Sequence, residues 1–365
     1  MDEPANEGQT KQEKFLEAYH GYILVKILII VGLLVTVFLV AGYAITLGGR
    51  EIGFLESYRL LWNHIMGVEY EFRSEDWFKD TILWQLRAPR VLGAIMAGFG
   101  LAVCGCVMQS ITHNPLADPY TTGMSSGAVF GVSVGIVFGF TINTTHGDLA
   151  LMLNAFVFSL FPAVLMILIA NKGSRSSATI ILAGVAVSYI FGSLSTITMM
   201  FAEDYKIYSA YLWQLGTLER ISSEMLPIMF IGVAVCSTLI YMFSKQLNLL
   251  YLGTGTASTL GLDVGTFRAI MIIITSILVA TVISFTGVIG FAGLVAPHIM
   301  RRFISSDNRY LIPSAGLLGA ALLLVCDTIG RVAFLPTELP VGVVMAFVGG
   351  PIFLWIIITS RKGVL

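Results

Sequence analysis

Apolar and polar residues along this chain alternate in long blocks rather than in short periods. Apolar runs at about 22–47, 90–111, 121–142, 149–170, 179–201, 225–243, 311–329 and 341–359 are each close to the ~20 residues that carry a helix across ~30 Å of hydrocarbon. A mixed, charged stretch at 48–85 holds amphipathic pieces such as Phe54-Leu55-Glu56-Ser57-Tyr58-Arg59-Leu60-Leu61-Trp62. The run 269–300 is too long for one span, since a single helix of that extent would measure ~48 Å. It contains Gly287, Gly290, Gly293 and Pro297, with Arg268 before it and Arg301, Arg302 and Arg309 after it. Two spans broken near Gly287 and Gly290 return the chain to the side it left and put all four arginines in the cytoplasm. The pattern therefore predicts an all-α membrane protein with ten transmembrane helices.

Composition agrees. Of 365 residues, 56% are hydrophobic and 12% charged, with mean hydropathy +0.85; a soluble domain is about one quarter charged. Residues 1–21 read as a charged cytoplasmic tail and 22–365 as one transmembrane domain. The tail is polar and contains acids, unlike a cleavable signal or a transit peptide. With that end inside, short cytoplasmic loops hold Lys172, Arg175, Lys245, Arg268, Arg301, Arg302, Arg309, Arg361 and Lys362, and most acids fall outside. The expectation is a multi-pass protein of the cell membrane with both termini cytoplasmic. A net charge of −1 and the lack of a long basic run argue against a nucleic-acid partner.

Candidate chemistry is sparse. Cys104, Cys106, Cys236 and Cys326 all lie in apolar runs without metal-ligand spacing and read as small buried hydrophobes. His20, His64, His113, His146 and His298 are scattered, so no metal site and no cofactor are expected. Tyr205, Tyr208, Tyr211 and Trp213 fit an interfacial aromatic belt. An ion-coupled carrier needs a titratable or coordinating group near the midplane. The deep candidates here are Lys26, near a span end, and Asp327, which has Arg331 four residues on as an ion-pair partner near the outer surface. No Gly-Lys dipeptide occurs, so the chain has no P-loop of its own. It is not read as an enzyme, and an ATPase motor must be a separate subunit.

Two further features concern packing and docking. Gly123, Gly127, Gly131, Gly135 and Gly139 recur every four residues, a helix-packing stripe along which a neighbouring helix can approach backbone to backbone. The longest structured cytoplasmic loop, 252–268, includes Thr254, Thr256, Ala257, Ser258, Leu260, Gly261, Leu262 and Asp263. Thr256 is the expected N-cap of a short helix there and Gly261 its end. Taken alone, the loop reads as a connector or as a docking element.

Several separate stretches carry a resemblance. They are Gln85-Leu86-Arg87-Ala88-Pro89-Arg90, Asn114-Pro115-Leu116-Ala117-Asp118-Pro119 with Gly123, Leu182-Ala183-Gly184 and Leu260-Gly261-Leu262. Gly290-Phe291-Ala292-Gly293-Leu294-Val295-Ala296-Pro297-His298-Ile299-Met300-Arg301 and Glu338-Leu339-Pro340-Val341-Gly342-Val343 complete the set. Together they resemble the permease subunits of type II ABC importers, which move iron chelates, haem and cobalamin, over nearly the whole chain after about residue 40. The resemblance implies the type II importer permease fold: ten helices per subunit and a homodimer around a central path. It also implies two cytoplasmic ATP-binding subunits and an extracytoplasmic substrate-binding protein. By the same resemblance the loop at 254–263 couples to the ATPase, Arg87, Arg90 and Arg331 dock the binding protein, and Ser176 and Ser177 lie near the inner gate. The long charged tail departs from the family pattern.

The expectation is a permease that moves an iron chelate, haem or corrinoid inward by alternating access. The alternatives are an ion-coupled secondary transporter and a membrane receptor or scaffold that transports nothing. Membrane lipid is the remaining expected partner.

Overall fold

Segments surrounded by hydrocarbon must satisfy their own backbone hydrogen bonds, and helices do so within one segment. The computed structural model describes residues 11–142, 147–172 and 177–360, and among these every regular element is helical. The chain begins with α1 (Lys11–Thr46), α2 (Phe54–Ile65) and α3 (Glu75–Thr81). A π-helical stretch, Ile82–Arg87, leads into α4 (Ala88–Thr112), and a 3-10 turn, Pro119–Thr122, leads into α5 (Met124–Phe138). There follow α6 (Asp148–Lys172), α7 (Ser177–Met199), α8 (Asp204–Gln214), α9 (Leu226–Met242), α10 (Ser244–Tyr251) and α11 (Thr254–Thr259). The last four are α12 (Val264–Thr286), α13 (Ala292–Ile304), α14 (Asn308–Val332) and α15 (Val341–Ser360).

Six of these segments are long and apolar enough to cross a membrane unaided: α1, α4, α6, α7, α12 and α14. The pair α9 and α10 reaches that length together, bent by 54°. At 15 and 13 residues, α5 and α13 are only roughly 23 and 20 Å long. They are short because the chain folds back in non-helical form beside them. The tail boundary at 21/22 falls inside α1, which is continuous from Lys11 and roughly 54 Å long.

The core is built around α4, whose residues 100–112 are all buried. Small side chains make this possible. A Cβ on Gly98 would strike the carbonyl of Gly319 on α14, and one on Gly105 would strike the carbonyl of Gly293 on α13. In lipid such backbone approaches replace the hydrophobic drive for helix association. All four cysteines are free and buried. By contrast α1 lies at the edge, touching Ala320 and Ala321 of α14 through Val37 while Phe38, Leu39 and Tyr43 stay exposed.

Two non-helical segments sit inside the bundle. Residues 287–291 separate α12 from α13 where the glycines predicted a break, with Gly287 and Phe291 both at positive φ (71° and 66°). A side chain on Gly287 would run into the Trp213 carbonyl. Residues 113–123 fold back into the bundle. Pro119 approaches Gly293 beside the Leu101 carbonyl, halfway along α4, and the Ile289 N–H donates to the Tyr120 hydroxyl at 3.2 Å. These contacts account for the first turn of the expected span 121–142 being absent from α5.

Candidate functional site

The apolar spans exclude polar groups from most of the bundle and concentrate them at its two ends. At one end, Arg90 in the first turn of α4 meets Asp327 on α14, which is fully buried. Arg90 Nε donates to Asp327 Oδ1 at 2.8 Å, and its Nη1 donates to Glu338. Arg331, one turn beyond Asp327, places Nε 3.1 Å from the other carboxylate oxygen, as an ion pair with poor hydrogen-bond alignment. Arg331 Nη2 and Nη1 donate to the carbonyls of Ala44 and Leu47, and Arg87 donates to those of Ile45, Thr46 and Arg50. These acceptors belong to the last turn of α1 and the segment after it. The final carbonyls of a helix lack intrahelical partners and carry its negative dipole end, so two guanidiniums are favourable there.

The three arginines of the docking expectation thus lie together in one cluster. Arg87, Arg90 and Arg331 are 5%, 8% and 2% exposed and are engaged within the chain. A guanidinium within reach of a buried carboxylate and unpaired carbonyls is held there, because each of those groups would otherwise lie desolvated and unpaired. All three arginines also line a cavity of about 260 Å³, together with the more exposed Arg50, Glu219 and Glu338. A second cavity at this end, of about 540 Å³, adds Asp148, Arg220 and Trp213. Glu338 stood in one of the family stretches; Arg50 and Glu219 had no sequence signal beyond their charge.

Deeper in the bundle, Asp118 is 8% exposed and caps the 3-10 turn, accepting from Tyr120 N at 2.9 Å. Asp118 stood in one of the family stretches, but its burial had no local signal in the sequence. Asn154 on α6 is fully buried and ties the end of α5 in place: it donates to the carbonyls of Gly131 and Phe140 and accepts from Ile142 N. The glycine stripe divides by position. Gly127, Gly131 and Gly135 face Phe158, Pro162, Asn154 and Leu151 of α6, whereas Gly123 and Gly139 are the caps of α5, at φ 85° and 68°. Lys26 lies over the rings of Tyr22 and Tyr310 and donates to Ser305 Oγ at 3.2 Å, so it is caged rather than extended to the headgroups.

At the opposite end, α11 forms where a short helix was expected but starts earlier. Gly253, at φ 110°, is its N-cap, so Thr256 lies inside it. Gly261, at φ 89°, turns the chain after it. Ala257 is buried against the bundle, whereas Thr254, Thr256, Ser258 and Leu260 are exposed, Leu260 by 59%. Asp263 then caps α12 by accepting from Gly265 N and Thr266 N. Leu262 bonds back to the Ala257 carbonyl at 3.0 Å, closing the loop into one unit. Of the expected gate residues, Ser176 lies outside the described residues and Ser177 opens α7. No group of histidine, cysteine and carboxylate suited to a metal occurs among the described residues.

The model of the FecCD transport family matches residues 33–359, which include both polar ends and every helix from α2 to α14. The chain belongs to the FecCD transport family. An ABC transporter permease protein of Methanocaldococcus jannaschii is 35% identical, with 95% of this chain and 99% of the relative covered. The hemin transport system permease HmuU of Yersinia pestis is 34% identical, covering 87% and 93%. The vitamin B12 import system permease BtuC of Citrobacter koseri is also 34% identical, covering 79% and 87%. Among solved structures, an inward-facing metal-chelate type ABC transporter superposes with a TM-score of 0.78 at 27% identity, covering 91% of this chain and 99% of the other. PsaBC of Streptococcus pneumoniae superposes with a TM-score of 0.53 at 18% identity, a likeness of fold. In this FecCD chain the matched region excludes the charged tail, so the polar ends belong to the family part of the molecule.

Proposed function

We propose that this chain is the permease subunit of an ATP-driven importer that passes an iron chelate, haem or corrinoid inward across the cytoplasmic membrane. Two copies flank the path, two ATP-binding subunits sit below it, and an extracytoplasmic binding protein delivers the substrate. The ten crossings are α1, α4, α5, α6, α7, α9 with α10, α12, α13, α14 and α15, with both termini inside. The observation that carries this reading is the inner unit α11 with Leu260, Gly261 and Leu262. It is a capped, folded projection that exposes a leucine at one end of the bundle, on a chain that has no P-loop. A separate motor needs such a handle, and backbone contacts between helices let its displacement travel as rigid-body motion. The exposed face of α7 supports the path: Ser188, Ser193 and Thr196 line a groove there with Tyr189 and Gly192. At the outer rim, Arg50, Glu219 and Glu338 are available to the binding protein, over the braced Arg87, Arg90 and Arg331.

The test is Leu260→Asp, at the exposed leucine of the unit. Uptake of the substrate in proteoliposomes containing the ATPase should fall at least tenfold, as expected for loss of ~1.4 kcal/mol or more of coupling, with the thermal midpoint of the permease unchanged. Uptake that persists in the variant, or that survives ATP depletion but not a protonophore, sinks the proposal.

A further inference from the structure

We infer that α2 is an interfacial anchor lying in the outer leaflet, its apolar face occupied by membrane lipid rather than by water or protein. At 100° per residue, every residue of α2 within about 60° of Tyr58 is apolar or aromatic: Phe54, Leu55, Leu61, Trp62 and Ile65. The remaining positions are Glu56, Ser57, Arg59, Leu60, Asn63 and His64, polar apart from Leu60. The protein covers the wrong side for a helix in water. Leu60 packs with Ile52 and Leu83, Glu56 pairs with Lys79 of α3, and His64 bonds Asp80 at 2.8 Å. Meanwhile Phe54, Leu55, Tyr58, Trp62 and Ile65 are left 52%, 82%, 41%, 61% and 63% exposed. In a soluble environment an apolar stripe of this width faces the core.

One contact sets the direction of that stripe. The Tyr58 hydroxyl abuts Gly42, one turn inside the outer end of α1. Tyr58 therefore points down along the span, and the residues sharing its face point toward the bilayer. The exposed surface of α1 just below is itself apolar, with Phe38, Leu39 and Tyr43, so the lipid-facing side of the bundle continues onto α2 without a polar border. Trp62 and Tyr58 are the side chains that favour the headgroup boundary, where an apolar body and a polar tip are both satisfied. The outer segment between α1 and α4 is thus a membrane-seated bracket, and through Arg87 it is tied to the end of α1.

The experiment places single cysteines at Leu55, Trp62 and Ile65, with Arg59 and Asn63 as water-side references, in the full-length chain with its four native cysteines replaced by alanine. Each is spin-labelled in vesicles of phosphatidylcholine and phosphatidylglycerol, and collision rates with oxygen and with a water-soluble nickel chelate are compared. The oxygen-to-nickel ratio at the three face positions should exceed that at Arg59 and Asn63 several-fold. Nickel rates equal to those at Asn63 would place the face in water and overturn the inference. Labels shielded from both reagents would place it against protein, a second copy of the chain, and overturn it equally.

Discussion

Asp327 is a carboxylate with no exposed surface, held between the guanidiniums of Arg90 and Arg331, the second of which also closes the carbonyl end of α1. A buried pair of this kind contributes little net stability, but removing one member leaves the other charges uncompensated. Asp327→Ala should therefore destabilise the chain by about 3 kcal/mol, read as a lowered thermal midpoint in mild detergent; an unchanged midpoint would mean that water or headgroups already screen the cluster. Asp307, outside the spans, offers a cleaner titration. Burial works against its charge, but hydrogen bonds from Arg309 and Asn248 outweigh burial and hold the carboxyl down to about 2. Depression of the folded value means that the stabilisation is complete above the unfolded value near ~4 and is lost as pH falls toward the folded one. As the cap of α14, Asp307→Ala should cost about 1 kcal/mol at pH 7, the gap staying constant to pH ~5 and closing below ~4. A gap that persists at the lowest pH would assign the effect to packing. The i,i+4 spacing of Asp327 and Arg331 was readable from the sequence, but the arrival of Arg90 from 237 positions away was not.

At the scale of elements, glycine decides how closely helices sit. Gly319→Ala would put a methyl group on the Gly98 carbonyl between α14 and α4, where neither backbone can yield without moving the helix. We expect a loss of about 1–3 kcal/mol. Gly32→Ala on the open face of α1 meets nothing within 4 Å and should be neutral or stabilising by up to about 1 kcal/mol. Thermal midpoints of the two variants compared with the parent decide the matter; equal effects would mean that propensity rather than approach governs both. The spacing of Gly127, Gly131 and Gly135 was legible because a period of four needs no knowledge of partners. The ends of α5 were not, because the segment that shortens it is held by Gly293 and Ile289, far away in the chain. Likewise Gly261 marked the end of α11 locally, while the cap fell on Gly253 instead of Thr256.

For the whole molecule, the proposed path along α7 makes a prediction independent of the substrate. Ser193→Cys, facing the groove of α7, should react with a membrane-impermeant maleimide from at least one side of the membrane, whereas Leu39→Cys on the lipid-facing side of α1 should not. If both stay unreactive in intact and inverted vesicles, α7 faces lipid and the path lies elsewhere.

The order of apolar blocks, the break near Gly287 and Gly290, the short helix in the loop at 252–268 and the family itself follow from the sequence alone. Each depends on composition or local spacing, which hydrocarbon reads directly because a spanning segment has few alternatives to a helix. Tertiary structure alone decided that Arg87, Arg90 and Arg331 are bracing groups, that residues 113–123 fold back to bury Asp118, and that α2 turns its apolar face outward. These outcomes depend on which distant carbonyl, carboxylate or glycine arrives beside a residue, and no local period encodes that arrival.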